Sequence, residues 1–143
     1  MKLYTIGFTK RSAEDFFGTI ARSGTTRVVD VRLNNSSQLA GFSKRDDLRY
    51  FLTAICGIEY VHLPQFAPTQ ELLDEYRTGK DWSAYAAKFR ALMAERQVDS
   101  SIAPVELDAA CLLCSEPRAD KCHRRLVAEY LQEKWGPIEI LHL

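Results

Sequence analysis

The chain predicts a three-layer α/β domain with a mostly parallel sheet of about five strands flanked by helices. Two observations carry this. Short apolar runs alternate with amphipathic helical stretches along the whole chain, and polar caps and glycines punctuate the joins. No repeat, low-complexity tract or linker interrupts the pattern, so residues 1–143 are expected to form one domain. Alternation of this kind implies a parallel sheet covered on both faces.

In order, "LYTIGF" (Leu3 to Phe8) predicts a strand that ends near a glycine. Ser12 and Asp15 form a capping-box pattern for a helix from Ala13 to about Arg22, with Phe16, Phe17 and Ile20 inward and Gly24 at its end. "TRVVDVR" (Thr26 to Arg32) is a second strand. Ser43 and Asp46 repeat the capping pattern for a helix that places Leu48, Phe51, Leu52 and Ile55 inward and stops at Gly57. "IEYVHL" (Ile58 to Leu63) is a third strand.

Thr69 caps a helix running to about Arg77, and Asp81 caps a longer one with a stripe of Trp82, Tyr85, Phe89, Leu92 and Met93. "DAACLLCSE" (Asp108 to Glu116) holds a fourth strand. With Asp120 as N-cap, a helix from about Lys121 to Lys134 turns Leu126, Val127, Tyr130 and Leu131 inward, and Gly136-Pro137 stops it. "IEILHL" (Ile138 to Leu143) is a fifth strand.

Nineteen Lys+Arg balance nineteen Asp+Glu, which argues against binding nucleic acid by bulk charge. No apolar run approaches the ~20 residues needed to span a bilayer, so no membrane partner is expected. The N-terminal segment lacks a signal-peptide core, which makes the reducing cytoplasm the expected location and free thiols the expected state of Cys56, Cys111, Cys114 and Cys122.

Ligands of open α/β sheets bind beyond the carboxyl ends of the strands. The residues delivered there are Gly7, Asp30, Arg32, His62, Pro64, Cys114 and Glu116, with Cys122 and His123 at the next helix start. A thiol in a first helical turn beside basic residues has its pKa lowered, so Cys122 is the expected thiolate. Cys114, eight residues earlier, is within reach as a redox, resolving or co-ligating partner. Cys111 precedes Cys114 by three residues in a strand and so points to the opposite face; it and Cys56 read as core. Cys114, Cys122 and His123 also offer a donor set for zinc or iron, although the sequence requires no cofactor.

A Cys-x5-Arg phosphatase loop is excluded, since positions 117, 120 and 128 are Pro117, Asp120 and Ala128. Arg32 and Arg124 are candidate anion binders, whereas Lys10, Arg11, Arg45 and Arg125 read as surface charge. Asp30 shares a strand face with Arg32 and either orients it or moves protons. Glu116 suits general acid or base work if desolvated. Tyr60, Trp82 and Tyr85 offer stacking surfaces, but their spacing favours packing.

The pieces "YTIGFT", "VVDVR" with "NNSSQLAGFSK", "YVHLPQFAPT" and "LLCSEPRADKCHRRLVAEYL" together resemble the domain-of-unknown-function family 488 of bacteria and archaea. The resemblance implies a site built from Gly7, Asp30, Arg32, the loop from Ser36 and Ser37 to Phe42, Pro64, Cys114, Glu116, Cys122, His123 and Arg124. Many members carry Leu-Gly-Gly after the proline at position 64, where this chain has Gln65-Phe66-Ala67 and then Pro68-Thr69, a different loop wall. The expected function is a cysteine-dependent enzyme acting on an anionic small molecule, a nucleotide or a nucleic-acid component. The alternative is a binding or sensing module in which the cysteines and His123 hold a metal or pack.

Overall fold

The computed structural model describes residues 1–36 and 41–143. Five strands, β1 (Lys2–Gly7), β2 (Arg27–Asp30), β3 (Glu59–His62), β4 (Ala110–Cys114) and β5 (Glu139–His142), form one sheet in the order β3-β2-β4-β1-β5. Every neighbouring pair is parallel, which confirms the α/β class. The helices are α1 (Ala13–Ser23), α2 (Arg45–Phe51), α3 (Gln70–Gly79), α4 (Trp82–Arg96), α5 (Pro104–Leu107) and α6 (His123–Trp135). Among the described residues, no helix is long and apolar enough to cross a membrane.

The period-two alternation of the strands sorts the core into two layers. Leu3, Val29, Ala110, Leu112 and Cys114 face α3, α4 and α6. Tyr4, Ile6, Val28, Cys111 and Leu113 face α1 and α2. The opposed faces expected for Cys111 and Cys114 are therefore present. Right-handed crossovers dictate this arrangement, because connections running one way along the sheet place their helices on one face and those running back use the other. The chain leaving β2 heads for the α2 face and the chain leaving β4 for the α6 face. A crevice opens between their carboxyl ends.

Local capping works as the sequence predicts at three helices. Ser12, Thr69 and Asp81 accept the N–H groups of Asp15, Leu72 and Ala84, each at 3.1 Å. Two expectations fail around α2. Its N-cap is Lys44, not Ser43, and Lys44 makes no side-chain capping bond. The helix then runs into a π turn, Leu52–Cys56, whose wider winding rotates later residues out of α-helical phase. Leu48 and Leu52 are buried, but Phe51 and Ile55 are exposed rather than inward.

At the end of β1, Gly7 pairs with Cys114, and a Cβ added to Gly7 would overlap the backbone carbonyl of Glu116. Gly7→Ala must therefore push the β4–α6 loop aside. We expect it to cost about 1–3 kcal/mol, the usual range for overpacking, read as a lower urea midpoint with unchanged m-value. An unchanged midpoint would mean that the loop moves freely and that the close approach is not a constraint.

Candidate active site at the strand ends

The carboxyl end of β2 carries a buried ion pair. Asp30 is fully buried and Arg32 is 2% exposed. Arg32 donates Nε and Nη2 to Asp30, both at 2.9 Å, and its backbone N–H donates to the same carboxylate at 3.0 Å. The Tyr60 hydroxyl donates to Asp30 at 2.5 Å, and Asn35 Nδ2 donates at 3.4 Å. Burial pushes the Asp30 carboxyl up, but the hydrogen bonds and charge of Arg32, joined by Tyr60, outweigh it and hold the pKa below the ordinary carboxylate value. Reciprocally, burial and then Asp30 push the Tyr60 hydroxyl well up, so it stays a donor.

Arg32 Nη1 has no partner among the described residues. Asp30 occupies the Nε–Nη2 edge of the guanidinium, which leaves the Nη1 side for something else. The side chain lines a cleft of about 300 Å³. Cys114, Cys122 and His123 lie across the same cleft from it, and Tyr76, Trp82 and Tyr85 form an aromatic wall. Trp82 and Tyr85 stack with centroids 5.2 Å apart. Exposed Lys121 and Arg77 stand at the rim.

The ligand-type atoms of Cys114, Cys122 and His123 all lie within 4.8 Å of one another, and all three residues are buried. His123 Nε2 is 2.7 Å from the Val31 carbonyl. A carbonyl only accepts, so Nε2 carries the proton and Nδ1, 3.5 Å from Cys114 Sγ, faces the thiol. Phe89 braces the ring edge-on at 5.5 Å.

The thiols differ in the opposite sense from the sequence expectation. Cys122 is the N-cap of α6 and makes no capping bond; Asp120 is not the cap. The hydrogen bond to Cys114, then burial and the charge of Cys114, push the Cys122 pKa well up. Cys114 is lowered, first by the hydrogen bond from Cys122, against its own burial, with help from the Ser115 and Glu116 backbone N–H groups and from Arg124. The hydrogen bond thus favours charge on Cys114 and disfavours it on Cys122.

The other expected residues divide. Arg124 is 1% exposed and serves the scaffold: Nε donates to Thr5 Oγ1 at 3.3 Å and Nη1 to the Glu116 carbonyl at 2.6 Å. It does not line the cleft. Gly7 admits that same carbonyl. Glu116 lines the cleft and is exposed. Asp30 is fully engaged behind Arg32, which makes it an orienting group rather than a proton carrier.

Pro64 starts a short 3-10 turn, Pro64–Phe66, away from the cleft, whereas Pro68 from the distinctive Ala-Pro-Thr segment lines it. Ser36 is exposed and outside the lining, and Ser37 lies outside the described residues. The bland reading suits Arg11, Arg45 and Arg125, which pair with Asp15, Asp46 and Glu129. Cys56 is half-buried and donates to the Phe17 carbonyl at 3.6 Å.

Tyr85 is the residue that sequence reasoning undervalued. Burial and then the charges of Cys114 and Cys122 push its pKa well up, so it presents a protonated hydroxyl near the thiols. Tyr76 and Arg77 were not flagged at all. The only sequence signal for this wall is the aromatic stripe itself.

Residues 12–131 match the model of a family described as a domain of unknown function, DUF488. The chain belongs to the DUF488 family. No curated protein and no solved structure gives a significant match. The DUF488 match spans β2, β4 and most of α6, and so includes the ion pair, both thiols and the aromatic wall.

Asp30→Asn leaves the Arg32 charge buried without its counterion, a change that typically costs about 3–5 kcal/mol. Because the folded pKa of Asp30 is depressed, its stabilisation is present above the unfolded value of ~3.9 and lost as pH falls through the folded value. Urea titrations from pH 7 down to pH 2 should show wild type and variant converging at the acid end. A constant gap at all pH values would mean that Asp30 acts through shape and not charge.

Proposed function

We propose that this protein is a cysteine-dependent enzyme acting on a small anionic substrate in the cleft. The observation that carries the reading is Cys114, flanked by a thiol donor and an imidazole, lining the same cavity as Arg32, whose buried Nη1 has no partner among the described residues. In this reading Arg32 holds the anion and Cys114 Sγ bonds to an electrophilic atom of the substrate. The displaced group leaves with the bonding pair and takes a proton from the Cys122 thiol. His123 Nδ1, free of a proton in this tautomer, takes the Cys114 thiol proton as the sulfur attacks, and Tyr85 donates toward the developing charge. The nucleophile is thus assigned to Cys114, with Cys122 as its partner. Free thiols need a reducing compartment, as the expected cytoplasmic location supplies. A small molecule carrying a single anionic group satisfies the anion requirement of this reading.

A second reading has its own observation. His123 donates Nε2–H to a backbone carbonyl and turns Nδ1 toward two sulfurs, the arrangement that orients imidazole ligands in metal sites. Two cysteines and one histidine would hold zinc or iron with a position left open to the cleft. The protein would then bind or sense an anion at that position without thiol chemistry.

Site-resolved alkylation with iodoacetamide across pH, read by mass spectrometry, separates the two readings. The thiol reading expects Cys114 to label ahead of Cys122, with an apparent pKa below the ~8.5 of a free thiol. Cys122→Ala removes the largest lowering influence and should slow Cys114 labelling at neutral pH, while Cys122→Ser, which keeps a donor, should slow it less. Cys122 labelling first would reverse the assigned roles. Labelling of neither until a chelator strips about one equivalent of metal would establish the metal reading instead.

A further inference from the structure

The cleft is chemically two-sided in a way that restricts its occupant. The Asp30–Arg32 pair lies at its inner end with one guanidinium nitrogen, Nη1, unpartnered on a side chain that is 2% exposed. A buried charged donor left unsatisfied is costly, and because Arg32 lines the cleft, an oxyanion toward which the guanidinium turned Nη1 would satisfy it with a charge-assisted hydrogen bond. Away from that point the wall changes character. Trp82 and Tyr76 meet edge to face at 5.7 Å, and Leu73, Pro68 and Leu33 continue the surface.

Charge decides how much anion fits. The positive charge of Arg32 is already matched by Asp30, at 2.9 Å. Lys121 and Arg77 stand exposed at the rim, where water and salt screen them, and Glu116 opposes them. With Arg32 matched and the rim cations screened, a second negative charge on the occupant is poorly compensated, so a singly charged anion is favoured over a doubly charged one. Size gives a further limit: about 300 Å³ lies at the lower end for small-molecule sites.

We infer that the cleft binds a small carboxylate bearing one flat apolar group, with the carboxylate on Arg32 and the flat group against Tyr76, Trp82 and Leu73. The inference rests on the reading of this cleft as the substrate site and narrows the anion to that class. A phosphate monoester, dianionic at neutral pH, is disfavoured on the same charge count.

Trp82 makes this measurable, because Trp135, the other of the two tryptophans, lies outside the cleft lining. In a Trp135→Phe background, Trp82 fluorescence is titrated with phenylacetate, acetate, benzyl alcohol and phenyl phosphate. Phenylacetate should give a saturable change. Acetate, which lacks the ring, and benzyl alcohol, which lacks the charge, should each bind at least tenfold more weakly, and so should phenyl phosphate.

Arg32→Lys preserves a cation for Asp30 but loses the planar outer nitrogen, and should weaken phenylacetate at least tenfold. Tyr76→Ala, at a half-buried wall position, tests the flat-group contact if Arg32→Lys fails to fold. Equal binding of acetate and phenylacetate, tighter binding of phenyl phosphate, or no saturable change with any probe would each overturn the inference. Iodoacetamide labelling of Cys114 in the same samples keeps the two proposals apart. Saturable phenylacetate binding with an inert Cys114 sinks the thiol chemistry alone, and a reactive Cys114 without binding sinks this inference alone.

Discussion

The buried pair of Asp30 and Arg32 organises this end of the sheet. Taking two charges out of water costs several kcal/mol each, and attraction alone repays this only when the remaining hydrogen-bonding capacity is also filled. The structure meets that condition on the Asp30 side, where Arg32, Tyr60 and Asn35 surround the carboxylate. Those partners tie β2 to β3 and to the loop after β2. The same turn offers two carbonyls to histidines: Val31 to His123 on α6 and Arg32 to His62 on β3, at 2.7 and 2.9 Å. Loss of the pair would therefore disturb the imidazole beside the thiols as well as the guanidinium across the cleft.

A second constraint holds the thiol side. Arg124 joins β1, through Thr5, to the loop after β4, through the Glu116 carbonyl, and Gly7 lets that carbonyl approach. This fixes the turn whose Ser115 and Glu116 N–H groups stabilise charge on Cys114. The asymmetry of the two thiols follows from chain position. Cys114 ends a strand and meets the N–H groups of Ser115 and Glu116, whereas Cys122, the N-cap of α6, donates a hydrogen bond to Cys114. Geometry separates two residues of identical chemistry into acceptor and donor.

How far the sequence reveals this depends on the range of the forces involved. Caps at Ser12, Thr69 and Asp81 were legible because each bond spans three residues. The phase break after α2 was not, since nothing in "FLTAICG" announces a π turn, and so Ile55 was misplaced. The strand ends and their polar residues were legible from alternation alone. The roles of Arg32 and Arg124 were not distinguishable, because both are arginines at rim positions and only tertiary contacts show one spent on the scaffold and the other with a nitrogen to spare. For the thiols, the expectation of a lowered Cys122 did not foresee the hydrogen bond between the two sulfurs, which together with burial pushes Cys122 up and, against burial, holds Cys114 down.

The aromatic stripe of α4 shows why packing and binding are not exclusive readings. Periodicity states that Trp82, Tyr85, Phe89 and Met93 turn inward, and three of them are buried as it requires. It does not state where along the sheet each lands. Phe89 and Met93 cover the strands, whereas Trp82 and Tyr85, at the start of the helix, line the cleft at the strand ends. A wall made only for stability would have no use for a buried guanidinium with an idle nitrogen or for two thiols of opposite tendency, since well-packed apolar residues there are often equally stabilising or more so. Polar groups of this cost gathered at a sheet crevice are what the proposed chemistry on a ligand would require.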